Sequence, residues 1–278
     1  MRPRRRLVGL VVVAAALLLS ATQARPALPR VLMVTYSAGY QHDVVRRPTA
    51  GGLSTAERVV ADLGRRSGGF EVSHVSTRDD LERLTATSVR AHGAILFFTT
   101  GELPMVAAVR QAIFQAVRDG GGFVGVHSAT DTWYTIAEYR ELLGGSFDGH
   151  PWHQRARLIV EDRTHPATRH LGDALEINDE IYQFRDWSRP SVHVLLRLDP
   201  RSVDVGRGRR PDGDYALAWT KAYGRGRVIY TALGHEPGVW ADGRFQAHLL
   251  GAIQWALGRS RGALAGTRLD AQRPGGIP

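Results

Sequence analysis

The chain contains no cysteine. That absence excludes a thiol nucleophile, a Cys-ligated zinc site, a disulfide framework and a lipid-modified N-terminal cysteine. Whatever holds the fold together must come from its apolar core. No internal repeat or heptad pattern is present, so solenoids and coiled coils drop out. Neither His-Glu-x-x-His nor His-x-His occurs, so no local zinc motif can be read from the histidines. A basic stripe with interleaved aromatics is also missing, which argues against nucleic acid as a partner.

The formal charge of +9 overstates the basicity of the folded part. Arg2, Arg4, Arg5 and Arg6 crowd the first six residues. The segment after Gly258 carries Arg259, Arg261, Arg268 and Arg273 against Asp270 alone. What remains between them is only mildly basic.

Those first arginines precede an apolar run, Leu7 to Leu19, and then Thr22-Gln23-Ala24. A basic start, a short apolar stretch and a small-x-small site form the pattern of a secretory signal peptide. The run is short for a bilayer span. The expectation is therefore a signal peptide over 1–24, a linker over 25–29, a domain over 30–258 and a disordered tail over 259–278. An exported protein, secreted or in the cell envelope exterior, follows, with no membrane attachment after signal cleavage.

Within the domain, short apolar runs alternate with amphipathic segments. Strands are expected at 30–35, 70–75, 94–99 and 123–126, the first and third of them brief apolar runs. Helices are expected at 50–64 and 132–143, with another between them whose first turn holds Pro104. Val106, Val109, Ile113 and Val117 recur at three- and four-residue spacing, and Gly120 to Gly122 end that helix. Further strands are expected at 157–160, 193–198, 215–223 and 227–233, the last two joined by a hairpin at Gly224-Arg225-Gly226. A final helix carries Phe245, Leu249 and Ile253. The βαβ order predicts an α/β fold with a parallel sheet and right-handed crossovers. Ligands in such folds sit beyond the carboxyl ends of the strands. The loops after Thr35, Thr99 and Val126 should therefore share one rim.

Gly120-Gly-Gly-Phe-Val-Gly-Val-His-Ser-Ala-Thr-Asp131 has the layout of a nucleophile elbow. Small residues must flank the central position at two residues' distance. Gly125 and Ala129 satisfy this for His127. Val126 and Thr130 do not satisfy it for Ser128, which disfavours a serine hydrolase.

The chain has 11 histidines. His42, His127 and His235 each follow a strand and should approach the same rim. His150 and His153 lie on a loop with Gly149 and Pro151. Asp131, Asp148, Glu180 and Glu236 are the carboxylates available to them. Tyr40, Trp133, Tyr134, Trp152, Tyr182 and Trp240 lie in or beside these loops and could offer faces to a sugar ring. Core packing is the competing account for about half of those aromatics, and a helix cap is the competing account for Asp131.

Five segments carry a family resemblance when read in order. They are Val31 to Asp43, Gly120 to Asp131, Phe147 to Pro151, Asp179 to Tyr182 and Ala218 to His235. Together they resemble the ThuA (trehalose-utilisation) family over about 30–258. The resemblance implies a flavodoxin-like, class I glutamine amidotransferase-like three-layer sandwich with a mainly parallel central sheet. It also implies a link to carbohydrate metabolism. The amidotransferase cysteine is missing, so glutamine hydrolysis through a thioester is excluded.

The expected site therefore has His127, Asp131 and Glu180 as catalytic groups. Tyr40, His42, His150, His153, Tyr182 and His235 would bind a small carbohydrate. A divalent metal is a possible cofactor, with His127, His150 and His235 as its ligands. Hydrolysis of a glycoside or processing of a keto-sugar both suit such a site. The alternative is a non-catalytic carbohydrate-binding protein on a degenerate enzyme fold.

Overall fold

The computed structural model describes residues 27–48 and 52–259. The expected signal peptide and nearly all of the expected tail lie outside the described residues. Among the described residues, no helix is long and apolar enough to cross a membrane.

The strands are β1 (Arg30–Val34), β2 (Glu71–Val75), β3 (Ala94–Phe97), β4 (Gly122–Val126), β5 (Ser146–Phe147), β6 (Trp152–Val160), β7 (Ala174–Ile181), β8 (Phe184–Arg185), β9 (His193–Leu198), β10 (Ala216–Tyr223) and β11 (Gly226–Thr231). The helices are α1 (Thr55–Ser67), α2 (Arg78–Arg83), α3 (Ala86–Arg90), α4 (Ala107–Arg118), α5 (Ala137–Leu143), α6 (Pro237–Ala241) and α7 (Gly243–Ala256).

One nine-stranded sheet runs in the order β2-β1-β3-β4-β11-β10-β9-β6-β7. Its first five strands are parallel and have the flavodoxin-like order. The remaining four add on in antiparallel fashion. Helices α1, α6 and α7 cover one face, and α3, α4 and α5 pack together on the other. This is the three-layer α/β sandwich expected from the sequence.

The inner parallel strands β1, β3 and β4 are buried on both sides, which is why they read as continuous apolar runs, whereas the edge strand β2 is only partly covered. Val31 to Val34 and Ala94 to Phe97 are all buried. In the two outer antiparallel strands, β6 and β7, burial largely alternates. Along β7, Leu175, Ile177, Asp179 and Ile181 point inward while Glu176 and Asn178 are exposed.

Helix α1 begins later than expected, at Thr55, because Ser54 builds a capping box with Glu57. Glu57 is wholly buried and also accepts from the Thr35 hydroxyl at 2.7 Å and from Arg47 Nε at 2.9 Å. One carboxylate thus ties the end of β1 to the start of α1. The helix expected at 132–143 is shorter, starting at Ala137, because a 3-10 turn occupies His127–Asp131. Asp131 therefore does not cap a helix at Thr132. The hairpin at Gly224-Arg225 is present, with Gly224 at φ 59°. A Cβ there would lie 2.7 Å from the Arg118 carbonyl oxygen, so the turn requires glycine.

Candidate functional site

Three loops are stitched together along the carboxyl edge of the parallel strands. Ala38 N–H donates to the Thr100 carbonyl at 2.8 Å, and Gly101 N–H donates to the Asp131 carbonyl at 2.7 Å. These bonds bring the segments after β1, β3 and β4 to one rim.

The turn after β4 is an elbow. His127 sits at φ 46°, a left-handed conformation uncommon for a residue with a Cβ. Two hydroxyls clamp it. Tyr230 donates to the His127 carbonyl at 2.7 Å, and Tyr139 donates to the Ala129 carbonyl at 2.8 Å. The requirement for small flanks is visible at Gly125, where a Cβ would lie 2.9 Å from both Leu143 Cδ2 and Tyr230 Cδ2, and 3.4 Å from Ala129 Cβ.

The His127 ring is turned inward. Its Nδ1–H donates to the Ala232 carbonyl at 2.7 Å, which leaves Nε2 with the lone pair. Nε2 accepts from the Tyr182 hydroxyl at 2.9 Å and lies 3.6 Å from Glu180 Oε2. The ring is fully buried and does not line the cavity above it. This corrects the expectation that the elbow imidazole meets a substrate directly: Tyr182 covers it.

Two more imidazoles close around this point. Ring centroids are separated by 4.8 Å for His42–His127, 5.1 Å for His42–His235 and 5.4 Å for His127–His235. His235 Nδ1 lies 3.1 Å from Glu180 Oε2 but is not aligned as a hydrogen bond to it. His42 is 4% exposed, and its Nδ1 has no hydrogen-bond partner. One nitrogen from each of His42, His127 and His235 and one oxygen of Glu180 all lie within 4.8 Å of one another.

His150 stands to one side. Its Nδ1 is 3.2 Å from the other carboxylate oxygen, Glu180 Oε1, and its side chain is half exposed. The ligand trio expected from the sequence, His127, His150 and His235, is therefore not the set that converges. His42 and Glu180 take the place of His150. His153 also lies outside, pinned by a 2.6 Å bond to Glu236 Oε1. Together with His235 these two make a smaller, more exposed group.

Burial disfavours charge on the His42 imidazole, and the neighbouring His127 and His235 reinforce this, lowering its pKa to about 3. His235 is shifted upward, chiefly by the Glu180 carboxylate. Burial pushes Glu180 up, but His127 and His235 outweigh it and hold the carboxyl well below its ordinary value. Asp131 goes the other way: burial raises it more than the bond from Tyr134 lowers it.

The loop that presents His235 is held by a residue the sequence reading did not single out. Asp179 is fully buried at the end of β7. Its Oδ2 accepts from Gly234 N–H at 2.7 Å, and its Oδ1 accepts from His235 and Glu236 N–H, each at 3.0 Å.

Above the cluster opens a cavity of about 480 Å³. Its lining includes His42, His235, Glu180 and Asp131 from the cluster side, with Tyr40, Phe147, Tyr182, His150 and His153. Nearly all of the expected site residues thus share one cavity, His127 being the exception. Asp148 is not in the lining and pairs with Arg209. Among the expected aromatics, Trp133, Trp152 and Trp240 are core residues, at most 2% exposed.

Comparison with known proteins agrees with this architecture. The family profile described as ThuA, trehalose utilisation, matches residues 30–256. Among solved structures, a putative ThuA-like protein from Bacteroides uniformis is 23% identical with a TM-score of 0.65, the match covering 84% of this chain and 95% of that one. A second, from Parabacteroides merdae, is 17% identical with a TM-score of 0.64, covering 83% and 90%. A cytoplasmic protein from Salmonella typhimurium LT2 is 14% identical with a TM-score of 0.55, covering 82% and 99%. No curated protein matches the chain.

Proposed function

The chain belongs to the ThuA family, and on that premise we propose that it is a carbohydrate-active enzyme working by acid–base chemistry on a glycoside or sugar derivative. The observation that carries this reading is the meeting of Glu180, His235 and Asp131 in one cavity with the faces of Tyr40, Phe147 and Tyr182. Its volume of about 480 Å³ falls within the roughly 300–1,000 Å³ usual for small-molecule sites. Aromatic rings supply apolar surface to a pyranose, and histidines and carboxylates hydrogen-bond its hydroxyls.

In this reading Glu180 is the ionised group that takes a proton or braces a developing positive charge. Asp131, shifted the opposite way by burial, is suited to give a proton. Two carboxyls pushed in opposite directions fit the acid and base roles that hydrolysis of a glycosidic bond requires. His127 is a positioning residue, since it reaches the cavity only through Tyr182 and Glu180. The test is turnover of a panel of disaccharides and keto-glycosides. Wild type should process at least one, and Glu180→Gln should lower kcat by about 100-fold or more while sugar binding persists.

A second reading, a carbohydrate-binding protein without turnover, is favoured by one feature: the elbow side chain is sealed from the cavity. Saturable sugar binding by wild type with no product from any member of the panel would select it. We also propose export through the N-terminal segment; N-terminal sequencing of the protein recovered outside the cytoplasm should begin at or near Arg25.

A further inference from the structure

We propose that His42, His127, His235 and Glu180 form a mononuclear site for a divalent first-row transition ion. The site lies at the floor of the cavity to which the activity above is assigned, but the ion's presence is argued from geometry alone.

The first argument is the arrangement of the rings. A metal–nitrogen bond of about 2.1 Å places each imidazole centroid about 3.2 Å from the ion, so three rings in tetrahedral array stand about 5.2 Å apart. In a facial octahedral array the spacing falls to about 4.5 Å. Two of the observed sides, 5.1 and 5.4 Å, lie close to the tetrahedral value, and the third, 4.8 Å, falls between the two values.

The second argument is the state of the nitrogens. Buried polar atoms are nearly always paired. His42 Nδ1 is buried without a partner, and His235 Nδ1 points near Glu180 without bonding to it. Leaving the His42 and His235 nitrogens unpaired beside one carboxylate is costly unless something shared satisfies them; the third lone pair, on His127 Nε2, is held by the Tyr182 hydroxyl, which an ion would displace. An ion on the common point does so.

The third argument is the surrounding support. Ligating histidines usually donate their second N–H to a carbonyl or carboxylate, which fixes the tautomer. His127 Nδ1–H donates to Ala232 O, leaving Nε2 as the ligand atom. Asp179 gathers the backbone N–H groups of Gly234, His235 and Glu236 and so fixes the loop carrying the His235 ligand. The Tyr182 oxygen, 2.9 Å from Nε2, would stand beside the ion, placed to bind it or its water.

Three neutral imidazoles and one carboxylate suit zinc, manganese, iron(II), cobalt or nickel. The carboxylate leaves a net charge of +1 on a loaded site. The cavity lies on the side of His42, His235 and Glu180, so a fifth ligand would enter the coordination shell from the sugar-sized space.

The experiment uses the full chain, stripped with a chelator, dialysed and titrated separately with zinc and manganese chloride. Calorimetry gives stoichiometry, elemental analysis counts the bound ion, and cobalt loading gives a visible spectrum that reports the ligand set. Wild type should bind one equivalent of zinc or manganese. His235→Ala and Glu180→Gln should each weaken binding at least 100-fold while keeping the wild-type circular dichroism. His92→Ala, on a distant surface, should bind as wild type does. His235 is partly exposed, so its variant should fold even where His42→Ala does not.

No stoichiometric ion on wild type overturns the proposal, as does binding that survives both ligand substitutions. An ion bound with this ligand dependence but no sugar processed leaves the metal site standing and removes the enzymatic reading. Turnover by protein that never binds an ion does the reverse.

Discussion

Replacing Asp179 by asparagine should uncouple the His235 loop from the sheet. The aspartate accepts three backbone N–H groups, one on Oδ2 and two on Oδ1. Asparagine can keep the pair on its remaining oxygen. Its amide then faces Gly234 N–H, donor against donor, where a 2.7 Å bond had been. Loss of a hydrogen bond to a charged group costs about 1.5–3 kcal/mol, and a buried unsatisfied donor adds about 1–3. Removing a buried charge recovers part of this, because burial already raises the Asp179 pKa. A net loss of about 2–4 kcal/mol follows. For a domain of this size that lowers Tm by roughly 5–12 °C.

The assay has two readouts, and they separate structure from function. Thermal unfolding by circular dichroism gives the stability change. Zinc titration of the folded variant below its Tm gives the effect on His235. The expected result is a lowered Tm together with weakened ion binding, because the loop drifts and takes one ligand with it. A Tm within about 2 °C of wild type would refute the assignment of those three bonds as anchors. A lowered Tm with unchanged zinc affinity would refute the link from Asp179 to His235.

Gly125→Ala should destabilise by about 1–3 kcal/mol, since its Cβ would meet Leu143 and Tyr230 at 2.9 Å; urea unfolding at constant m checks it, and an unchanged midpoint would show that the elbow is not crowded. Arg47→Ala should cost about 3 kcal/mol by leaving the buried Glu57 carboxylate without the two guanidinium bonds at 2.9 and 3.0 Å, with Arg47→Lys recovering part; equal stability of all three proteins by chemical denaturation would contradict it. Acid should unfold the protein through His165 and His248, which burial holds near pKa 4. His165 Nδ1 accepts from Ala167 N–H, which requires a neutral ring, and His248 Nδ1–H donates to the carbonyl of the same residue, where burial disfavours its charge. The folded pKa lies below the unfolded value of about 6.5, so the unfolded chain binds more protons between them. Stability is therefore full above about pH 6.5 and falls as pH drops toward 4, by at most roughly 3 kcal/mol for each ring. Urea midpoints that stay level from pH 7 to pH 4.5 would count against it, as would a slope that His248→Gln leaves unchanged.

The inner strands of the parallel half were legible because both of their faces are covered. Strands β1, β3 and β4 read as unbroken apolar runs, and no other element of that length competes for such a pattern. The antiparallel half was only partly legible. β6 was expected from Arg157 and begins at Trp152, because His153, Gln154 and Arg155 lie on its wet rim and break the apolar signal. β7 was not expected at all. Its alternation is intact at Leu175, Ile177 and Ile181, but the inward position between the last two holds Asp179. A carboxylate in the core phase of a strand hides the strand and marks the site in the same stroke. The usable signal was the phase of Asp179, because a buried charge survives only where several donors converge on it.

The same logic explains which parts of the site could be foreseen. The elbow was readable because its demand is local: a cramped turn needs Gly125 and Ala129, and chain spacing alone places His127 between them. The direction of the imidazole was not readable, because it is set from far along the chain, by Ala232 and Tyr182. A serine or cysteine on such a turn must point outward to attack a substrate. An imidazole has two nitrogens and can spend one on the scaffold and offer the other inward. It then fixes what surrounds it rather than reacting, and His42, His235 and Glu180 inherit the contact with the cavity. On this view the histidine at the elbow replaces a nucleophile by a bracket, and the chemistry moves one shell outward.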